Sequence, residues 1–404
     1  MLFKGLRTAR LMAGAAAALV VSTQAQALTI NLIDNGGVTG SASEQGFKIA
    51  AHYWESVIST NVTLNFGVGY SALGTGIIGS TSSSKYGVAI QDVEGALHAV
   101  ASSALDQSVV LPAFTGTATV APFGTVGTIT MTRNGPLGIG KLSATTVVDS
   151  DNTKDNAAVA GTEANLKALG YDFAGVAGND ANITFSSAFN FDFNPTDGIA
   201  GGYMDFIGVA IHEMGHALGF TSGVDTYDYY LSPNGPGKNS TINWDGSTVG
   251  NILDLFRYSA NGNLDWSVGT ASYFSTDGGA HVFNGDAMFS TGAYNGDGRQ
   301  ASHFKDTASA LGGCDGMNQI GVMDPTFCYG EMGVVKGDDL AAFDTIGWNL
   351  NLDVLQHPHY QFTTAQAYRS YFGAVPEPAS WAMMVIGFGV VGLAARRKAK
   401  VSFA

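Results

Sequence analysis

Cysteine is almost absent from this sequence: Cys314 and Cys328 are the only two in 404 residues. With no further thiol partners they cannot build a thiolate metal centre by themselves. Basic residues are also scarce, 19 Lys and Arg against 33 Asp and Glu, for a formal net charge of -14. Seven of those basic residues (Lys4, Arg7, Arg10, Arg396, Arg397, Lys398 and Lys400) sit at the two extremes. The body therefore offers no basic groove to a phosphate backbone, which excludes nucleic acid as a partner. Its acidity reads as solubility outside a cell. No Gly-x-Ser-x-Gly nucleophile turn lies near suitable partners, so serine or cysteine peptidase chemistry has no support. The 54 glycines follow no period, which excludes collagen, and no internal repeat is visible. What the chain does have is 45% hydrophobic residues, enough for a sizeable core in one large domain or two ordinary ones.

Both ends read as addresses. Lys4, Arg7 and Arg10 precede a short apolar run, Leu11 through Val21, and Ala25-Gln26-Ala27 follows as a small-x-small processing site. Residues 1–27 are thus expected to be a secretory signal peptide, cut after Ala27. Export permits a disulfide between Cys314 and Cys328. At the other end, Pro376-Glu377-Pro378 leads into a largely apolar stretch from Ala379 to Ala395, 17 positions, followed by Arg396, Arg397, Lys398 and Lys400. That length is at the lower limit for a transmembrane segment. Residues 376–398 resemble the Pro-Glu-Pro (PEP-CTERM) sorting signals of Gram-negative bacteria. The resemblance implies an exosortase-type sorting enzyme as partner and membrane contact through the C-terminal segment before processing. A secreted or surface-attached product follows from it.

Between the ends, period-two and helical apolar patterns alternate. Strands are expected at 28–33, 61–70 and 181–187, with a strand-rich stretch over 109–149. Helices are expected at 44–58, 91–105, 159–169, 206–219 and 338–346. The 206–219 segment is the strongest, with Phe206, Val209, Ala210, Ala217 and Leu218 on one face, Asp205 as cap and Gly219 as terminator. Residues 221–300 are rich in Gly, Asp and Asn. The part at 261–277 offers oxygen ligands for a structural calcium ion without spelling a full ligand loop.

The chemistry is concentrated in His212-Glu213-Met214-Gly215-His216. Residues four apart on a helix share one face, so two imidazoles reach one ion while Glu213 stays within reach of its water. A catalytic zinc (Zn2+) needs a third protein ligand. The extended motif would put a histidine at 222, where Ser222 stands; downstream, His281, His303 and Glu331 are available. The non-functional alternative is a pair of helix-surface histidines beside a glutamate.

Residues 212–220 resemble the zinc helix of leishmanolysin-like metallopeptidases of the metzincin clan. Ala301-Ser302-His303-Phe304 resembles that family's Ser-His-Trp segment, and Gly321-Val322-Met323-Asp324-Pro325 its methionine turn. Phe304 replaces the usual tryptophan, the family's dense cysteine framework is missing and no long pro-region is evident, so the likeness is to a bacterial relative. It implies His212, His216 and His303 as zinc ligands, Glu213 as general base and acid, Gly219 at the sharp turn and Met323 beneath the site. Cys314 and Cys328, which bracket Met323, would pin that base.

The fold implied is α+β and metzincin-like: a mixed twisted sheet and active-site helix above a smaller irregular C-terminal subdomain. The expected domain is 28–349, with subdomains 28–220 and 221–349, followed by a linker at 350–375. The implied activity is zinc-dependent hydrolysis of extracellular proteins or peptides. The alternative is a non-catalytic zinc-binding surface or adhesion protein. Oligomeric state is not readable.

Overall fold

The computed structural model describes residues 27–117, 124–132, 146–236, 244–307 and 318–374. Strand β1 (Thr29–Gly36) leads into helix α1 (Ala42–Val57), then β2 (Thr63–Ser71) and β3 (Gly79–Ser83). Helix α2 (Ile90–Val100) precedes β4 (Ile129–Thr132), β5 (Thr146–Asp149) and β6 (Ala181–Ser186). Helix α3 (Phe206–Ala217) carries the histidine motif, and α4 (Val224–Leu231) follows closely. Then come β7 (Arg257–Ala260), β8 (Asn263–Asp265), β9 (Ser272–Phe274) and β10 (Met288–Phe289). The described chain ends with β11 (Val334–Lys336), α5 (Gly337–Thr345), β12 (Gln361–Thr363) and α6 (Thr364–Ala374).

The architecture is mixed α+β. One sheet has the order β1-β2-β6-β3, parallel except for β3, which runs antiparallel to β6 at the edge. A second has the order β10-β9-β7-β8-β4-β5 and is built largely from the region downstream of the histidine motif. Helices α1 and α3 pack together through aromatic side chains. Phe47, Phe185 and Phe206 meet with ring centroids 4.5–5.0 Å apart, and all three are fully buried. Burying a ring of this size contributes about 1.5–3 kcal/mol, so this cluster fixes α3 against the first sheet. Two buried indoles anchor its backbone: Trp54 Nε1 donates to Ile211 O at 3.1 Å, and Trp348 Nε1 to Leu218 O at 2.8 Å.

Three expectations need correction. The 159–169 helix is a strand, Ala158–Thr162, followed by a six-residue helix, Glu163–Ala168; β-branched Val159 and Thr162 favour the extended half. Residues 361–374, read as linker, form β12 paired antiparallel with β11 and a helix that packs on α1, because Ala365 and Ala367 are buried there. A transmembrane segment finds no support, since among the described residues no helix is long and apolar enough to cross a membrane. The stretch on which that expectation fell is diluted by Ser380, Gly387, Gly389 and Gly392. It lies outside the described residues, as do the signal-peptide segment 1–26 and Cys314.

Candidate metal centre

Helix α3 is capped at both ends by groups that fix its orientation. Asp205, fully buried, accepts from Gly208 N at 3.1 Å, Gly333 N at 2.9 Å and Thr364 Oγ1 at 2.6 Å. The cap thus ties the helix start to the chain around β11 and α6. At the other end Gly219 has φ +118, a conformation other residues avoid, and a side chain there would also strike Asn165. That turn brings the Phe220 carbonyl back under the helix, where it lies 2.8 Å from His216 Nδ1.

The same arrangement occurs three times. His212 Nδ1 lies 2.7 Å from Val322 O, and His303 Nδ1 lies 3.1 Å from Gln300 O. A carbonyl can only accept, so each Nδ1 carries the proton and each Nε2 is left with a bare lone pair. The three Nε2 atoms are 3.1, 3.1 and 3.3 Å apart. Burial holds the His212 imidazole down at about 4 and His216 at about 3, and pushes His303 well below its ordinary value. All three rings are therefore neutral near pH 7. Three unprotonated acceptors facing one point repel one another unless a cation lies between them. Nitrogens bound tetrahedrally to one zinc at ordinary Zn–N distance stand roughly 3.3 Å apart. The donor set fits such an ion.

Glu213 is 5% exposed and its carboxyl is pushed up to about 7 by burial, against the lowering effect of Thr81. Thr81 Oγ1 lies 2.7 Å from Glu213 Oε2. Met323 is fully buried beneath the helix, and a Cβ at Gly215 would stand 2.5 Å from its sulfur. The glycine within the histidine motif thus admits the methionine. Of the other residues weighed as third ligand, His281 is an exposed partner of Asp277 at 2.7 Å and Glu331 is exposed. Neither shares the histidine group, which among the described residues contains His212, His216 and His303.

His303 reaches the group across 87 residues through polar side chains that the sequence does not advertise. Ser302 Oγ accepts from Ser222 N at 2.8 Å, tying the segment to the chain just beyond α3. Asp225 accepts from Ala301 N at 2.6 Å, Ser302 N at 3.0 Å and the Ser302 hydroxyl. Arg257 donates to Ala301 O at 2.5 Å. The Phe304 amide then donates to Met323 O at 3.0 Å, and its buried ring packs on Phe220 with centroids 5.0 Å apart.

Asp339 is a further residue that sequence reading missed. Fully buried, it accepts from Val322 N at 2.8 Å, Met323 N at 3.0 Å and Lys336 N at 2.8 Å. It therefore holds the turn whose carbonyl orients His212. Its only sequence signal is its place at the start of α5. Asp339→Asn, which turns one acceptor into a donor facing these amides, is expected to destabilise the fold by about 1–3 kcal/mol. Zinc affinity is expected to fall about 10- to 100-fold. Urea titration and a competing chelator measure the two effects.

Asp265 and Asp277 in the 261–277 stretch spend their oxygens locally. Asp265 accepts from Ser259, Ser267 N and Ser267 Oγ, and Asp277 from Ser275 and His281. No calcium site is supported there. Cys328 is disulfide-bonded.

Residues 374–398 match the family model of the PEP-CTERM protein-sorting motif. The chain carries a sorting address. That motif is linked to an exosortase-type sorting system and to extracellular or surface-exposed proteins. No curated protein and no solved structure matches the chain.

Proposed function

We propose that this protein is an exported zinc-dependent endopeptidase with a metzincin-like arrangement, related to the leishmanolysin-like enzymes of bacteria. The observation that carries the reading is the convergence of three imidazole Nε2 atoms, those of buried His212 and His303 and half-buried His216, on a helix that also carries the buried carboxylate of Glu213. His212, His216 and His303 would hold a zinc ion, which would supply a Lewis acid at this point of the site. Glu213 would accept a proton from the attacking water and return it to the amine that departs as the peptide C–N bond breaks. Met323 forms the floor under α3, and Gly219 closes the turn that orients His216.

The substrate is an extended peptide. Edge strand β3 is paired with β6 on one side, and its alternate residues Ser80 and Ser82 face outward. A peptide adds to such an edge through main-chain hydrogen bonds. The second reading is a non-catalytic zinc-binding surface protein, favoured by the fact that the three-histidine group requires no catalysis to bind a metal.

Exported protein, freed of metal with a chelator and reloaded with zinc, is expected to cleave casein only in the reloaded state. Stoichiometric zinc with no cleavage of casein or a peptide library would favour the binding protein; failure to bind zinc would remove both readings.

A further inference from the structure

The strand nearest the general base also fixes how that base points. On β3, residues 79, 81 and 83 are turned inward and 80 and 82 outward, as the two-residue period of a strand requires. The inward residues are Gly79, Thr81 and Ser83, all small, and this face packs on α3. The Thr81 hydroxyl lies 2.7 Å from Glu213 Oε2 and 2.8 Å from the Glu213 carbonyl. It has one proton, and the charged carboxylate is the stronger acceptor. One residue-pair along the strand, a Cβ built on Gly79 would stand 2.6 Å from Glu213 Oε1 and 3.0 Å from Cγ and Cδ. The carboxylate therefore has one oxygen tethered by Thr81 and the other lying over the bare Cα of Gly79.

We propose that Thr81 and Gly79 are positioning residues for Glu213: the hydroxyl anchors Oε2, the missing side chain leaves room for Oε1, and Oε1 is the atom that exchanges the proton. The inference rests on the peptidase reading for its chemistry, but the orientation it assigns to the carboxylate stands apart from turnover.

The experiment compares zinc-loaded wild type with Thr81→Val, Thr81→Ser and Gly79→Ala. Valine keeps the shape and branching of threonine and suits a strand, and the Gly79 backbone is not in the left-handed region, so both variants should fold. Thr81→Val is expected to lower kcat about 10- to 100-fold with KM little changed, the loss appropriate to a hydrogen bond to a charged group. Thr81→Ser, which keeps the hydroxyl, should recover kcat to within about fivefold of wild type. Gly79→Ala is expected to lower kcat by about 100-fold with zinc retained, since the displaced carboxylate no longer meets its water in line. Crystal structures of the zinc-loaded variants test the orientation whether or not the wild type turns over. The expected result is a Glu213 carboxylate rotated away from its wild-type position in Thr81→Val and Gly79→Ala. Wild-type kcat in Thr81→Val, or an unmoved carboxylate in both variants, would overturn the inference. An inactive wild type, by contrast, would remove the peptidase reading and leave the orientation to be decided by the crystals.

Discussion

Glutamine in place of Glu213 is expected to remove turnover while leaving the metal site filled. The side chain keeps its size, and its amide oxygen can still accept from Thr81, so the architecture around β3 and α3 should survive. What is lost is the group that takes a proton. General acid–base catalysis by one positioned side chain contributes about 10²- to 10⁴-fold, and kcat should fall by that factor. Zinc content should remain at one per chain, because the three Nε2 atoms converge without help from the carboxylate. A second consequence concerns the metal-free protein. Burial raises the Glu213 carboxyl from 4.5 to about 7, so ionising it opposes folding. The penalty is absent below pH 4.5, grows as pH rises to about 7, and is complete above that. Glutamine carries no such penalty, and the metal-free variant should be more stable than wild type at pH 8 by about 3 kcal/mol. Urea titrations of both metal-free proteins at pH 4 and pH 8 check the difference. Full activity in the variant would end the proposed mechanism, whereas an unchanged stability difference across pH would mean that Glu213 is better solvated than its position suggests.

The part of this site that lies on one helix was legible in the sequence, and the part assembled from distant segments was not. Asp205, Gly219 and the apolar spacing between them mark α3, and the two motif histidines follow from helical geometry. His303 was reached only by resemblance. Nothing near Ala301-Ser302-His303 signals a return to α3, because the contacts that bring it back come from Ser222, Asp225 and Arg257, each an ordinary polar residue where it stands. Strand β3 was invisible for a related reason: Gly79-Ser80-Thr81-Ser82-Ser83 has no apolar alternation, since its inner face packs on α3 through Gly79, Thr81 and Ser83 alone. Helix α4 was hidden by its composition. Val-Asp-Thr-Tyr-Asp-Tyr-Tyr-Leu has weak helical preference, and tertiary burial of Val224, Tyr227 and Leu231 decides its state. The segment ending in α6 read as a linker because its buried residues are mostly alanine, which marks a helix only when a neighbour such as α1 is there to receive it.

Arg257→Met is expected to have the largest effect on stability among changes away from the histidines. The guanidinium is 1% exposed. Its Nε lies 3.3 Å from Asp254 Oδ1, Nη1 donates to Ser272 Oγ at 2.5 Å and Ser290 O at 3.2 Å, and Nη2 donates to Ala301 O at 2.5 Å. Its central carbon stands 4.3 Å from the centre of the Phe289 ring. Asp254 in turn accepts from Ser222 Oγ at 2.6 Å and Gly223 N at 2.7 Å, so one buried cation links the chain leaving α3 to the segment arriving at His303. Methionine fills similar volume and keeps the contact with Phe289, but it leaves Asp254 charged and two carbonyls without donors. Breaking a buried pair in this way costs about 3–5 kcal/mol. Because Ala301 is two residues from His303, zinc affinity should fall as well, by about 10- to 100-fold, the usual effect of losing a group that orients a ligand. Lysine should recover little, since a single ammonium cannot reach three directions at once. Chemical denaturation and a competing chelator separate the two consequences. A variant that unfolds more easily yet holds zinc as tightly as wild type would show that Asp225 and Ser222 alone suffice to seat His303, and that Arg257 serves the fold rather than the metal.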